Sequence, residues 1–269
     1  YSINDGSSTG GKINRGEGLN HPFNWGGFTC CGFHHISYAM GNAFKTGADG
    51  LPLFDTYNNK SYADGPATYF ADNSFDPRFS HTIAAPGLPW KYDPNLIFEN
   101  KGVRNAAEYG YFKSIKELPR PNCGCLLYDG WQFNSMNKRM IRYDEVLLWK
   151  AEILIQLDRH QEALEPINKI RQRAANSTAR LIKSNGQPVL NYRIETYKPG
   201  VNCAWTKDFA LKAMQWENRL EMAGEGRRFF DLQRWGILEK TMNDYFAVEK
   251  TRFPWMNVAK FTSGRDEFF

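Results

Sequence analysis

The chain has 269 residues, 42% of them apolar and 15% aromatic, enough to bury a sizeable core in one large domain or two small ones. Its formal charge of +5, from 34 basic and 29 acidic residues, is spread along the whole length without the Lys/Arg run that a phosphate backbone demands, which argues against nucleic acid as a partner. Every apolar stretch is interrupted by charge, the longest, Val146 to Leu157, by Lys150 and Glu152, so none is suited to span a bilayer.

A mean hydropathy of −0.58 beside so many rings implies large flat side chains on a polar, loop-rich chain, some of them facing solvent. The sequence starts at Tyr1 with no Met, signal peptide or lipidation Cys near it, and stops at Glu267, Phe268 and Phe269. A piece of a longer protein is expected.

Residues 1–32 hold eight glycines among Asn, Ser, Thr and Pro, a composition that favours turns and predicts a long loop region. Between His34 and Lys45, Ile36, Met40, Ala43 and Phe44 fall at helical spacing, with Gly47 as the stop. Residues 47–140 carry Pro at 52, 66, 77, 86, 89, 94, 119 and 121, which rules out long helices; a short strand is expected over Arg78 to Ala84. A stretch this long without regular structure is expected to be functional surface or to pack over a scaffold.

The character changes over residues 142–175. Val146, Leu147, Ala151, Leu154 and Ile155 make one apolar stripe, Asp158 to His160 a break, and Ala163, Leu164, Ile167, Ile170 and Ala174 a second stripe: a helical hairpin like one tetratricopeptide unit. Such a unit buries its faces by stacking on neighbours, which chain preceding Tyr1 is expected to supply. Residues 176–206 read as a loop or insertion. Residues 207–247 are helical again, with Phe209, Ala213, Trp216 and Leu220 on one face, a glycine corner at Gly224 to Gly226, and a second helix carrying Phe229, Phe230, Leu232 and Trp235.

Several motifs bear on chemistry. Gly6 to Lys12 has the glycine spacing of a phosphate-binding loop, but Ile13 stands where a magnesium-holding hydroxyl is needed, and Gly16 and Gly18 prevent the helix that should follow. Glu217 and Glu221, four apart on a helix, place two carboxylates on one face like a glycosidase pair. Arg219, Arg227, Arg228 and Arg234 nearby favour ion-paired scaffold instead, since a carboxylate in an arginine fork stays ionised. The five cysteines, 30, 31, 123, 125 and 203, leave open a bridge between clusters or buried and free thiols; neighbours and one-apart cysteines are awkward partners for each other. Cys30, Cys31, His34 and His35 have no zinc-knuckle spacing, so neither metal nor cofactor is expected.

The loop aromatics are more informative. Sugar rings offer an apolar C–H face and a rim of hydroxyls, so a site for them pairs a flat aromatic with amide and carboxylate groups. His21, Phe23, Asn24 and Trp25 supply that mix in five residues, and Trp90, Tyr92 and Trp131 are similarly framed by Gly, Asn, Asp or Pro. Any one of these rings could equally cap a core beneath the loops.

Three stretches together resemble the SusD/RagB family. Glu217, Arg219, Glu221, Glu225, Gly226, Arg228, Phe229, Asp231, Leu232, Arg234, Trp235 and Gly236 are similar to its C-terminal signature. Arg142, Tyr143, Glu145 to Leu148, Ala151 and Glu152, followed by Ala163, Asn168, Arg171, Arg173 and Ala174, look like the preceding hairpin; Asn42 to Phe44, Asp49 to Pro52 and Asp76 to Phe79 look like its middle motifs. Asn218 departs where a second Arg is common, and Gly224 where an aromatic is usual.

The resemblance implies a mainly α fold: tetratricopeptide-like helical hairpins with a long loop-rich region packed over them. It divides the chain into a loop-rich ligand-binding region, 1–141, and a C-terminal helical region, 142–269, within one continuous domain truncated at both ends. It implies a non-enzymatic protein on the cell-surface side of the bacterial outer membrane, attached only through a lipid anchor that this chain lacks. Such a protein captures oligosaccharides or polysaccharides and delivers them to a SusC-like TonB-dependent transporter. The expected ligand-binding residues are Phe23, Asn24 and Trp25, with Trp90, Tyr92 and Trp131; no residue is expected to be catalytic. The rival expectations are a peptide- or protein-binding member of the same family and a glycoside hydrolase using Glu217 and Glu221.

Overall fold

The computed structural model of the protein describes residues 18–29, 31–121, 123–127, 133–134, 136 and 139–257. In chain order the elements are α1 (Tyr38–Ala43), β1 (Lys45–Thr46), β2 (Ser74–Phe75), α2 (Arg78–Thr82), β3 (Ile83–Ala84), β4 (Pro89–Trp90) and β5 (Asp93–Ile97). They continue with α3 (Ala106–Tyr109), β6 (Lys113–Ser114), β7 (Leu126–Leu127), β8 (Phe133–Asn134), α4 (Tyr143–Gln156), α5 (Leu164–Ala175), α6 (Lys207–Glu221), α7 (Arg228–Arg234) and α8 (Leu238–Arg252). The fold is mainly α: paired helices at the C-terminal end, with a loop-rich layer over them stitched by antiparallel two-stranded ladders, β1–β2, β3–β6, β4–β5 and β7–β8.

Local chemistry explains where the helices start. Ser37 caps α1 by accepting the N–H of Met40 at 3.2 Å, and Thr206 caps α6 by accepting that of Phe209 at 3.2 Å. The first helix is shorter than the spacing predicts: it begins after Ser37 and ends at Ala43, and β1 fills Lys45 and Thr46 before Gly47. The strand expected over Arg78 to Ala84 is instead mostly helix α2, with only Ile83 and Ala84 extended. Asp76 decides this by accepting the Arg78 N–H at 2.9 Å, a side-chain cap that starts a helical turn. The hairpin α4–α5 and the corner between α6 and α7 form as the periodicity predicts. At that corner Gly224 has φ +75°, and a Cβ there would come within 3.1 Å of the Ser114 hydroxyl, so glycine suits both backbone and neighbour.

Two main cores result. Alanines let the helices approach closely: Ala151, Ala163, Ala210 and Ala213 are all fully buried where α4, α5 and α6 meet around Ile155, Ile167 and Met214. The other core is aromatic and joins the layers, with Phe44, Phe75, Phe79 and Phe112 from the loops packed with Trp216 and Leu220 of α6. Its rings meet edge to face, as Phe79 does with Phe112 at 5.8 Å and 88°. Val146 corrects the expected stripe. It lies 43% exposed on the opposite face of α4 with Trp149, Ile153 and Leu157, because α4 is apolar on both sides and only one meets α5 and α6.

A buried ion cluster ties the loop layer to the helices. Glu217, fully buried on α6, accepts from Arg78 at 2.7 Å and from Arg171 of α5 at 2.5 Å; Tyr197 donates to it at 3.2 Å. Arg78 also binds Asp76 at 2.6 Å and Glu221 at 3.2 Å, while Arg171 donates to the carbonyls of Glu195 and Gly50. Removing one member strands charges away from water, which for a buried pair costs about 3–5 kcal/mol. Glu217→Ala should lose about that much stability in urea unfolding; an unchanged unfolding midpoint would contradict the cluster's structural role.

Candidate functional site

The β4–β5 hairpin is closed by only two residues, Lys91 and Tyr92, between the paired Trp90 and Asp93. Both sit in the left-handed region, φ +45° and +69°, where a two-residue hairpin normally uses Asn-Gly. A non-glycine residue held there costs on the order of 1–3 kcal/mol, so the surroundings must impose it. They do. The Lys91 ammonium donates to the carbonyls of Ile115, at 3.1 Å, and Leu118. The Tyr92 hydroxyl meets Nδ1 of His81 at 2.9 Å, and Nε2 of His81 meets the Ser177 hydroxyl at 2.9 Å.

This turn separates two open cavities. One, of about 350 Å³, lies between the loop layer and the helices; Tyr92, His81, Arg139, Arg173 and Glu221 are among its walls. The other, of about 860 Å³, lies on the loop side and is lined by Asp93, Asn95, Leu96, Arg120 and Pro121, beside the Cys123–Cys125 disulfide. Lys91 borders both. The arrangement offers one aromatic ring, hydroxyl and imidazole groups and several cations around a concave, open space, which suits reversible binding of a polar ligand.

Electrostatics set the state of the smaller cavity's groups. Burial pushes His81 below the ordinary imidazole value, with Arg173 acting the same way and Ser177, Asp76 and Glu221 opposing. Burial and the neighbouring Glu221 push Asp144 up to about 6. Burial would also raise Glu221, but Arg78, the hydrogen bond from Asp144, Arg173 and Lys116 outweigh it and hold Glu221 well below the usual carboxylate range. Glu217 has both oxygens occupied by arginines and the Tyr197 hydroxyl. Both glutamates are tied up by arginines, the arrangement of an ion-paired scaffold.

The expected site residues separate. Trp25 is 3% exposed and Trp90 fully buried; they pack at 5.3 Å in a third core with Phe28 and Phe98. Both rings pack as core residues, with no open face for a sugar on Trp25, while Trp90 also borders the larger cavity. Their Gly, Asn and Pro neighbours mark loops but do not say which side of the loop a ring takes. Phe23 is half-buried beneath the Arg104 guanidinium, 5.2 Å from its ring, and Asn24 is exposed at φ +45°; neither borders the two cavities. Tyr92 alone of the set lines the smaller cavity, and Trp131 lies outside the described residues. Sequence reasoning missed Lys91, His81, Arg139 and Arg173. The one available signal was a Lys-Tyr pair where a tight hairpin turn calls for glycine.

The cysteines also differ from expectation. Cys123 and Cys125 pair with each other, their Cα atoms 5.1 Å apart, inside the normal range for a bridge, with Gly124 placing no side chain between them. Cys31 is disulfide-bonded as well, and Cys203 is a free thiol. Among the described residues no group of three or more potential ligands could hold a metal ion.

The SusD family model matches residues 1–255, and the chain belongs to that family. Among solved structures it is similar to a SusD superfamily protein from Bacteroides vulgatus ATCC 8482, at 21% identity and a TM-score of 0.43. That likeness covers 74% of this chain and 35% of the other, so the chain spans about a third of that protein's length. No curated protein matches.

The sign of His81's contribution to stability follows from its lowered value. The unfolded chain takes up a proton below about pH 6.5 while the folded one resists it, so this contribution is lost as pH falls through that range. Asp144, raised from 3.8 to about 6, works in the opposite sense, adding stability as pH falls between those values. Comparison with His81→Gln isolates the histidine: the variant's stability deficit at pH 7 should narrow by pH 5 in chemical unfolding, and a deficit independent of pH would show that His81 is not held neutral.

Proposed function

We propose that this chain carries the ligand cleft of a surface protein that captures oligosaccharides and passes them to a SusC-like TonB-dependent transporter in the bacterial outer membrane. Members of the SusD family are in general surface glycan-binding proteins, which supplies the class of activity. The observation that carries the assignment to this part of the molecule is the Lys91–Tyr92 turn. Two strained, non-glycine residues are held between two cavities, and such strain persists where a site needs the side chain more than the turn needs relief. Binding without chemistry fits the neighbouring groups, since Glu217 and Glu221 are locked by arginines. Disulfides at Cys31 and Cys123–Cys125 suit a compartment outside the reducing cytosol. Among the described residues no helix is long and apolar enough to cross a membrane, and attachment through a lipid anchor is part of this proposal.

Calorimetry against a panel of oligosaccharides tests the site. Tyr92→Ala should weaken binding by about 1 kcal/mol, roughly fivefold, through loss of the ring contact. Unchanged affinity in a variant that stays folded would remove Tyr92 from the site. Co-purification of the full-length protein with its outer-membrane barrel tests the delivery step, and its absence in membranes that contain both proteins would count against it.

A further inference from the structure

The cations near the Lys91–Tyr92 turn fall into two groups. On the helix side they are neutralised: Arg78 by Asp76, Glu217 and Glu221, Arg142 by Asp144, Glu221 and Glu225, and Lys116 by Glu225 at 2.7 Å. Around the turn itself they are not. Among the described residues, Arg120, Arg139 and Arg180 form no ion pair, and the Lys91 ammonium reaches only backbone carbonyls. Arg139 borders the smaller cavity, Arg120 the larger, and the Arg180 guanidinium lies 4.4 Å from the centre of the Tyr92 ring. The same walls carry four carboxylates: Glu221 and Glu225 are paired with the helix-side cations, which leaves Glu117 and Asp93 near the four, and Asp93 already accepts the Asn95 N–H at 3.0 Å. The crowding is felt within the cluster: burial, then Arg139 and Arg120, push Lys91 down to about 8, with Glu117 opposing.

Like charges gathered around a concave site repel one another and raise the local potential, an arrangement suited to an incoming anion. Guanidinium groups with no carboxylate to bind have their planar fork free for a two-oxygen anion, which a neutral hydroxyl cannot match. We infer that the ligand is an acidic glycan, whose carboxylate or sulfate ester is held by Arg120 and Arg139 across the Lys91–Tyr92 turn. This inference rests on glycan capture as proposed above and adds the ligand's charge.

The test is calorimetry with polygalacturonate and chondroitin sulfate as acidic probes and laminarin and amylose as neutral ones. At least one acidic polymer should bind, more weakly as salt is raised, and Arg120→Ala with Arg139→Ala should lose roughly tenfold in affinity. Both arginines are exposed, so the variant should keep its fold. As a control, Lys240→Ala with Lys250→Ala, exposed cations on α8, should leave affinity unchanged; an equal loss there would mean general adsorption of polyanions and would overturn the inference. So would failure of both acidic polymers to bind, or unchanged affinity in the double arginine variant. Binding of laminarin or amylose alone would overturn the acidic ligand while leaving glycan capture intact, whereas binding of none of the four would count against both.

Discussion

The architecture hangs on one buried carboxylate. Glu217 is fully enclosed, yet it holds Arg78 from the loop layer, Arg171 from α5 and the hydroxyl of Tyr197 from the segment between α5 and α6. Few apolar contacts could do this job, because dispersion is indifferent to orientation while an arginine fork fixes its partner to within a few tenths of an ångström. The desolvation such a cluster incurs is offset only when nearly every donor and acceptor is matched, which is why Asp76, Glu221 and the carbonyls of Gly50 and Glu195 are drawn in. The loop layer thereby acquires a single seating on the helices despite having little regular structure of its own.

That seating determines the cleft. With Arg78 anchored, α2 places His81 beneath Tyr92, and Ser177, at the end of α5, completes the relay from the helical side. The Lys91–Tyr92 turn keeps its left-handed backbone because its two side chains are tied on opposite sides, one to the carbonyls of Ile115 and Leu118 and the other to His81. Among the described residues the cations on the helix side of the cavity are ion-paired and those around the turn are not, across a space of about 350 Å³.

The helical half was legible in the sequence because its signals are local. Ala151, Ile155, Ala163 and Ile167 mark buried faces through the 3.6-residue repeat, and Gly224 marks a corner through its missing side chain. The loop half was legible only as loop. Ladders of two residues, such as β3 with β6, carry no period to read, and the start of α2 turned on one hydrogen bond from Asp76. The site was least legible: Trp25 and Trp90 have the neighbours of surface rings, yet contacts with Phe28 and Phe98 from separate loops put them inside. Arg120, Arg139 and Arg180 are single arginines scattered over sixty residues of sequence and become a cluster only when the chain folds.

By itself, then, the sequence determined the family, the helical hairpin, the glycine corner and the arginine–glutamate signature, all of them properties of short-range spacing. Tertiary structure decided which aromatic rings face water, which arginines lack a carboxylate partner among the described residues, and that a Lys-Tyr pair would close a hairpin in a strained turn. The physical reason is that burial and charge pairing depend on groups distant in the chain, brought together here by the packing of Phe79 and Phe112 against α6 and by the grip of Arg78 on Glu217.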